Sequence, residues 1–386
     1  MSHPIIREMH ILRNPQFSAI SLVIAAALGL IVANSPLGGS ATAIRDTHPG
    51  TVLGLDLSLG HWVTDGLLAI FFFLAAVELK HELRHGELNS ARKALVPAAA
   101  AVGGVIVPAA IFLLLVRQPG LSDGWPIPTA TDIAFALGVL ALVGRGLPSR
   151  VRALLLALAV IDDLIAIVII AFFFTDDLNP LALIAAVPVI LLFGWLSYRA
   201  NGAARIAAMV ALALIAWWLV ALSGIHPTIA GVSLGLILAS RVGTKTRHAI
   251  EPWSNAIILP LFAFVATLVV IPDAGGLGIV FWAIVIALPV GKIIGITGGA
   301  LIANALNPGD KTPIGDLLTI AALGGVGFTV SLLMNELAFE GNPSAITDGT
   351  LGVLVGSVIA VIVGGTFAAA RSRWYRTKRD HPSSTR

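Results

Sequence analysis

Ala157-Leu158-Ala159-Val160-Ile161-Asp162-Asp163-Leu164-Ile165 sets two carboxylates side by side at the centre of an apolar run covering 151–174. A run of that length meets the ~20 residues that a helix needs to cross a bilayer. Ionisable groups at such a depth cost roughly 2.5–3.5 kcal/mol each on insertion scales, so the pair needs a reason to be there. Outward from it the same apolar pattern repeats. Further stretches, bounded by charges, prolines or glycine clusters, occupy 17–35, 61–79, 94–116, 126–144, 180–197, 206–222, 223–240, 254–271, 278–304, 317–338 and 350–370. The first is too long for the apolar region of a signal peptide. The expected fold class is an all-α membrane protein of about 12 transmembrane helices. It forms a single integral membrane domain over 1–386, with 371–386 as a basic cytoplasmic tail.

Composition excludes the soluble alternatives. The chain has 386 residues, but 57% are hydrophobic and only 12% charged, more apolar surface than a soluble fold can hide from water. A net charge of +3 argues against nucleic-acid binding, and the absence of cysteine excludes disulfides, thiolate metal sites and cysteine nucleophiles. No G-x-x-x-x-G-K-[ST] phosphate loop occurs, so ATP does not drive the protein directly. No cofactor is expected.

Charge by location sets the orientation. Of the 24 Lys and Arg residues, 21 fall on the N-terminus, the even-numbered loops and the C-terminal tail. Only Arg45 and Arg117 lie in the intervening loops, and Lys292 lies inside a span. The positive-inside rule then puts both termini in the cytoplasm. In the first outer loop, Val52-Leu53-Gly54-Leu55-Asp56-Leu57-Ser58-Leu59 alternates at period two. It reads as a short β-strand or hairpin whose edge could pair with a second copy, or equally as an irregular loop on the membrane surface.

The charges within the spans form a compact set. Asp132 lies in the fourth span and Lys292 at the centre of the tenth, while Asp65, Glu78, His226 and Glu336 sit nearer span ends. Neighbouring residues on a helix point about 100° apart, yet Asp162 and Asp163 can both reach the rim of one cavity. Burial and mutual repulsion favour keeping a proton on the pair until a cation displaces it, which is the minimum needed to exchange one for the other. Carboxylate oxygens are hard ligands, suited to Na+, Li+ or Ca2+. A pure proton relay has the same spacing. Lys292, within Pro289-Val290-Gly291-Lys292-Ile293-Ile294-Gly295, is the one base at mid-depth, and Asp162 or Asp163 is its natural counter-charge.

Two spans carry helix breakers. The fourth begins Trp125-Pro126-Ile127-Pro128-Thr129-Ala130-Thr131-Asp132, and the eleventh contains Gly324-Gly325-Val326-Gly327-Phe328-Thr329. Pro128, Gly325 and Gly327 mark the interruptions. Spans 3–5 and 10–12 are thus two triplets with the interrupted member in the middle. Being odd-numbered, they insert with opposite topology, an arrangement typical of transporter binding sites. Asp132 and Lys292 would suit the positive and negative ends of the broken helices.

The segments Ala130-Thr131-Asp132-Ile133-Ala134-Phe135-Ala136-Leu137-Gly138 and Asp162-Asp163 resemble those of the bacterial NhaA-type sodium/proton antiporters. So do Val77-Glu78-Leu79-Lys80-His81-Glu82-Leu83, Ser223-Gly224-Ile225-His226-Pro227, Leu259-Pro260-Leu261-Phe262-Ala263-Phe264 and Gly327-Phe328-Thr329-Val330-Ser331. The matches run in order over nearly the whole chain. The family is itself an example of inverted repeats with broken helices. The resemblance implies electrogenic exchange of Na+ or Li+ for H+ in a bacterial inner membrane, with more protons entering than sodium ions leaving. It implies a cation and proton site at Asp162 and Asp163, with Thr131 and Asp132 at the helix crossing and Lys292 as charge partner. It further implies a pH response at Glu78, Glu82 and His226, and a homodimer surrounded by membrane lipid. Two departures stand out. Val265-Ala266-Thr267-Leu268 replaces the family's usual Ala-Asn-Ala-Gly, and Arg247 stands where relatives can carry an acid. The first bears on packing of the ninth span, the second on the pH profile. The competing readings are a sodium-coupled symporter of an organic anion, a channel with acids lining its pore, and a membrane scaffold.

Overall fold

A computed structural model of the chain describes residues 15–50, 54–86, 88–175, 178–199, 202–272, 276–306 and 311–380. The helices, in chain order, are α1 (Pro15–Ala33), the short α2 (Gly38–Arg45), α3 (Leu59–His85), α4 (Ala91–Leu115), α5 (Ile133–Val143), α6 (Ser149–Phe173) and α7 (Pro180–Ser197). They continue with α8 (Ala203–Leu222), α9 (Thr228–Ile237), α10 (Ser240–Ala266), α11 (Ile279–Leu306), α12 (Ile314–Gly324), α13 (Phe328–Ala338) and α14 (Pro343–Asp380). Among the described residues ten segments are long and apolar enough to cross a bilayer, or eleven if α12 and α13, bent by 48° at their junction, count as one span. The protein is a multi-pass membrane protein.

The eighth expected span is where the sequence reading and the structure differ most. α9 is only ten residues long, because 223–240 contains a turn at each end. Gly224, at φ +80°, reverses the chain after α8, a conformation open to glycine. At the other end Leu238 and Ala239 are extended, and the Ala239 amide donates to Ser197 Oγ at 2.9 Å. The ninth span consequently starts at Ser240, with a polar helical stretch that passes into the apolar part through a π turn at Ser254–Ile258. The basic tail begins as helix. Through Asp380 it is the continuation of the 38-residue helix α14. Of the proposed hairpin, 51–53 lie outside the described residues, and Gly54–Ser58 contains a turn and a single bridge residue, Leu55.

The chain forms two compact units, one containing Ser21–Arg84 and Ile167–Val270, the other His85–Ala166 and Ile271–Arg386 with the start of α1. In the first, Val77, Phe193, Met209, Ala216, Leu234 and Leu238 join α3, α7, α8 and α9 in one core. The departure at the end of the ninth span is absorbed here. Thr267 is fully buried, and its hydroxyl bonds Ala26 O at 3.0 Å and Ala263 O at 2.7 Å.

The second unit holds both triplets except the end of α6, from Ile167. Its tightest pairing is α4 against α11, where a Cβ on Gly295 would run into the Gly103 carbonyl. Small residues at such a crossing let two backbones approach, the usual source of helix association in lipid. Gly295→Val should lower the melting temperature of the detergent-solubilised protein, with an overpacking cost of about 1–3 kcal/mol. An unchanged melting curve would contradict the packing described.

Candidate cation site

Asp162 and Asp163 lie near the middle of α6, 2% and 6% exposed. Lys292 is fully buried on α11, and its ammonium donates to Asp162 Oδ2 at 2.7 Å. A π turn at Ala287–Gly291, containing Pro289, comes directly before it. Such a bulge shifts the side chains that follow around the helix axis and recurs at functional sites. Gly104 on α4 leaves room for Ile296, one turn along α11 from Lys292, and the lysine stem lies alongside it. The sequence left open which aspartate balances Lys292, and the geometry selects Asp162. Its other oxygen, Oδ1, is buried without a hydrogen-bond partner among the described residues. Asp163 pairs with no base among them, while Asp162, Asp132 and Lys292 are the charges whose fields reach it.

Both interrupted helices come apart beside this pair. Ile127–Thr129 forms one 3-10 turn containing Pro128, Ala130 to Asp132 are extended, and α5 begins at Ile133. Gly325 to Gly327 separate α12 from α13. The segments are bonded to each other: Asp132 N to Val326 O at 2.6 Å, Thr131 Oγ1 to Gly324 O at 2.7 Å, and Ser331 Oγ to Ile127 O at 2.7 Å.

Asp132 serves two helix starts at once. Its Oδ1 accepts from Phe135 N at 2.9 Å, capping α5, and its Oδ2 accepts from Thr329 Oγ1 at 2.6 Å and Thr329 N at 3.3 Å, at the start of α13. A carboxylate facing helix N-termini is the favourable pairing with their dipoles. The expectation for Asp132 is therefore met. For Lys292 it is not, because its ammonium is committed to Asp162 and the last carbonyl of α12 is taken by Thr131.

Two residues of this crossing escaped the sequence reading. Thr329 is the hydroxyl partner of Asp132, and nothing in the chain's pattern pairs residues 197 positions apart. Phe328 adopts φ +24°, sparsely populated for a non-glycine residue. Its amide is held by Ser357 Oγ at 3.3 Å, and its ring lies 5.5 Å from that of Phe135.

The residues expected to respond to pH lie in the first unit and do not form one group. Glu78 is ion-paired with Arg247, which also lies 3.6 Å from Glu251. Glu82 is buried one turn further along α3. Near them Lys80, His81, Ser240, Thr244, Arg247 and His248 line a cavity of about 180 Å3. His226 is at the opposite end of α3, its Nδ1 2.7 Å from Thr228 Oγ1 and its Nε2 3.5 Å from Asp65 Oδ1. Positions 65 and 78 are separated by about 20 Å of helix.

Among the described residues no three His, Cys, Asp or Glu side chains converge as a metal cluster. A cation at Asp162 and Asp163 would complete its shell with hydroxyl, carbonyl or water oxygens, as hard cations do.

Fold and site together define a helical membrane protein with two broken helices crossing beside a buried carboxylate pair. The family described as Na+/H+ antiporter 1 matches residues 9–367, and the chain belongs to it. It is 52% identical over 376 residues to the Na(+)/H(+) antiporter NhaA 2 of Clavibacter michiganensis subsp. michiganensis, covering 94% of this chain and 92% of that one. It is 45% identical over 367 residues to the Na(+)/H(+) antiporter NhaA of Tropheryma whipplei, covering 92% and 94%. The fold is similar to that of the sodium proton antiporter MjNhaP1 from Methanocaldococcus jannaschii, with TM-score 0.58, 15% identity and 91% of each chain covered.

Proposed function

We propose that this chain exchanges Na+ or Li+ for H+ across a bacterial cytoplasmic membrane by alternating access. Protons enter down their gradient in greater number than sodium ions leave, so exchange is electrogenic. Both termini face the cytoplasm, as the distribution of basic residues supports. Protonation of the aspartates and binding of the cation exclude one another. The observation that carries this reading is the contrast within the pair: Asp162 is bonded to Lys292, while Asp163, equally deep, forms no ion pair among the described residues. A buried carboxylate without an ion-pair partner favours a proton or a cation beside it. Thr131 and Asp132 hold the unwound segments around that exchange. Glu78, Glu82 and His226 tune it with pH, and two copies pair through the first outer loop.

Symport of an organic anion requires a cation for the anion to meet. The one mid-membrane lysine is already engaged by Asp162, which counts against that reading. The test is purified protein in liposomes under an imposed pH gradient, read with an internal pH dye. Na+ or Li+ should dissipate the gradient and choline should not. Absence of any Na+ response between about pH 6 and 9, the range around neutrality in which such a site must titrate, removes the antiport reading.

A further inference from the structure

Asp316, the third residue of α12, is a fully buried carboxylate on which three side chains converge. Its Oδ1 accepts from Arg371 Nε at 2.7 Å. Its Oδ2 accepts from the Tyr375 hydroxyl at 2.8 Å and from Arg150 Nη2 at 3.1 Å, and Arg150 Nη2 also donates to the Tyr375 hydroxyl at 2.9 Å. The Arg371 guanidinium lies 4.0 Å from the centre of the Trp374 ring. One position away, Ser372 Oγ accepts from Gly146 N at 2.8 Å, fastening α14 to the turn that leads into α6.

Two of the elements gripped here also carry part of the cation site, α12 at its other end and α6 near its middle. Asp316 and Gly324 lie near opposite ends of α12, and Gly324 O is the acceptor for Thr131. An 11-residue helix is about 16 Å long, short enough to shift as a rigid rod. Arg150 is the second residue of α6, which goes on to present Asp162 and Asp163. Apolar side chains of similar volume would hold these helix ends together as well as an ion cluster does, often better. Charged bonds fix direction in addition, and the Asp316 carboxylate accepts from two sides.

We infer that Asp316, with Arg150, Arg371 and Tyr375, is a positioning latch for the cation site: it sets α12 and α6 at their far ends so that Gly324 O, Thr131 and the aspartate pair keep their spacing. The latch acts through those groups and touches no ion itself. It rests on the antiport reading.

The test compares wild type, Asp316→Asn and Tyr375→Phe in the liposome assay, with the Na+ dependence resolved into KM and maximal rate. Asp316→Asn should raise KM for Na+ about tenfold while the maximal rate stays within about twofold, the scale on which small misplacements of ligands act. Tyr375→Phe, which keeps both ion pairs, should raise KM two- to threefold, as loss of one of several bonds to a charged group does. If both variants fold and show a wild-type KM, with nothing changed but melting temperature or maximal rate, the cluster is only a brace and the inference falls. If Asp316→Asn does not accumulate folded, Tyr375→Phe decides alone by the same criterion. A wild-type protein without Na+ response would remove the antiport reading and the latch together, whereas a responsive wild type with unaltered KM in the variants removes the latch alone.

Discussion

Asp163→Asn should bring Na+-driven dissipation of a pH gradient down to the level of protein-free liposomes, while the purified protein keeps its melting temperature. Asparagine has nearly the same shape as aspartate, and Asp163 makes no ion pair among the described residues that the change would break. What is lost is the negative charge that attracts the cation and the group that carries the proton in its place. Both halves of the exchange fail together, so no partial activity in either direction is expected. The replacement removes a buried carboxylate that has no ion-pair partner among the described residues, so the fold loses no bond of that kind. Wild-type exchange in this variant would sink the assignment of Asp163 as the cargo site. A large fall in melting temperature would show instead that Asp163 has a structural partner.

Lys292→Ala should produce the opposite pattern, with a clear loss of stability at any level of residual transport. Its ammonium and the Asp162 carboxylate are both buried, 2.7 Å apart. Removing one member of such a pair leaves the other charge uncompensated, at a cost of roughly 3–5 kcal/mol. Alanine also leaves a void beside Gly104, where the lysine stem ran. The double variant Lys292→Met with Asp162→Leu should recover much of the stability, since two apolar groups of similar volume can replace a buried pair at little cost. With the matching single variants Lys292→Met and Asp162→Leu, the four melting curves close a cycle whose coupling measures the pair. Equal melting temperatures for wild type and Lys292→Ala would overturn it.

Most of the fold can be read from the chain because the physics of spanning a bilayer is local. A long apolar run has to be a helix, since no water is present to satisfy its backbone. The same locality explains what could not be read. The short α9 depends on Ser197 meeting the Ala239 amide, a contact between residues distant in sequence. Past the apolar stretch α14 is bonded through Arg371, Ser372 and Tyr375 to Asp316 and Gly146, residues far from it in the chain. The acids and the lysine of the site were legible because mid-membrane charge is so costly that each instance signals something. Their pairing was not legible. Asp162 and Asp163 differ by one position and face about 100° apart, so only the packing of α11 could decide which of them Lys292 meets. Thr329 and Phe328 looked like ordinary members of a glycine-rich run until the crossing placed Asp132 and Ser357 against them.

The bonds between the two unwound segments have one further consequence. Thr131 gives its hydroxyl to Gly324, Val326 receives the amide of Asp132, and Thr329 gives its hydroxyl back to the Asp132 carboxylate. Donors and acceptors lie on both partners, so neither strand of the crossing can slide without breaking bonds on the other. The two broken helices are riveted where they are weakest. The crossing therefore behaves as one linkage with a shared degree of freedom, not as two parts that move apart independently.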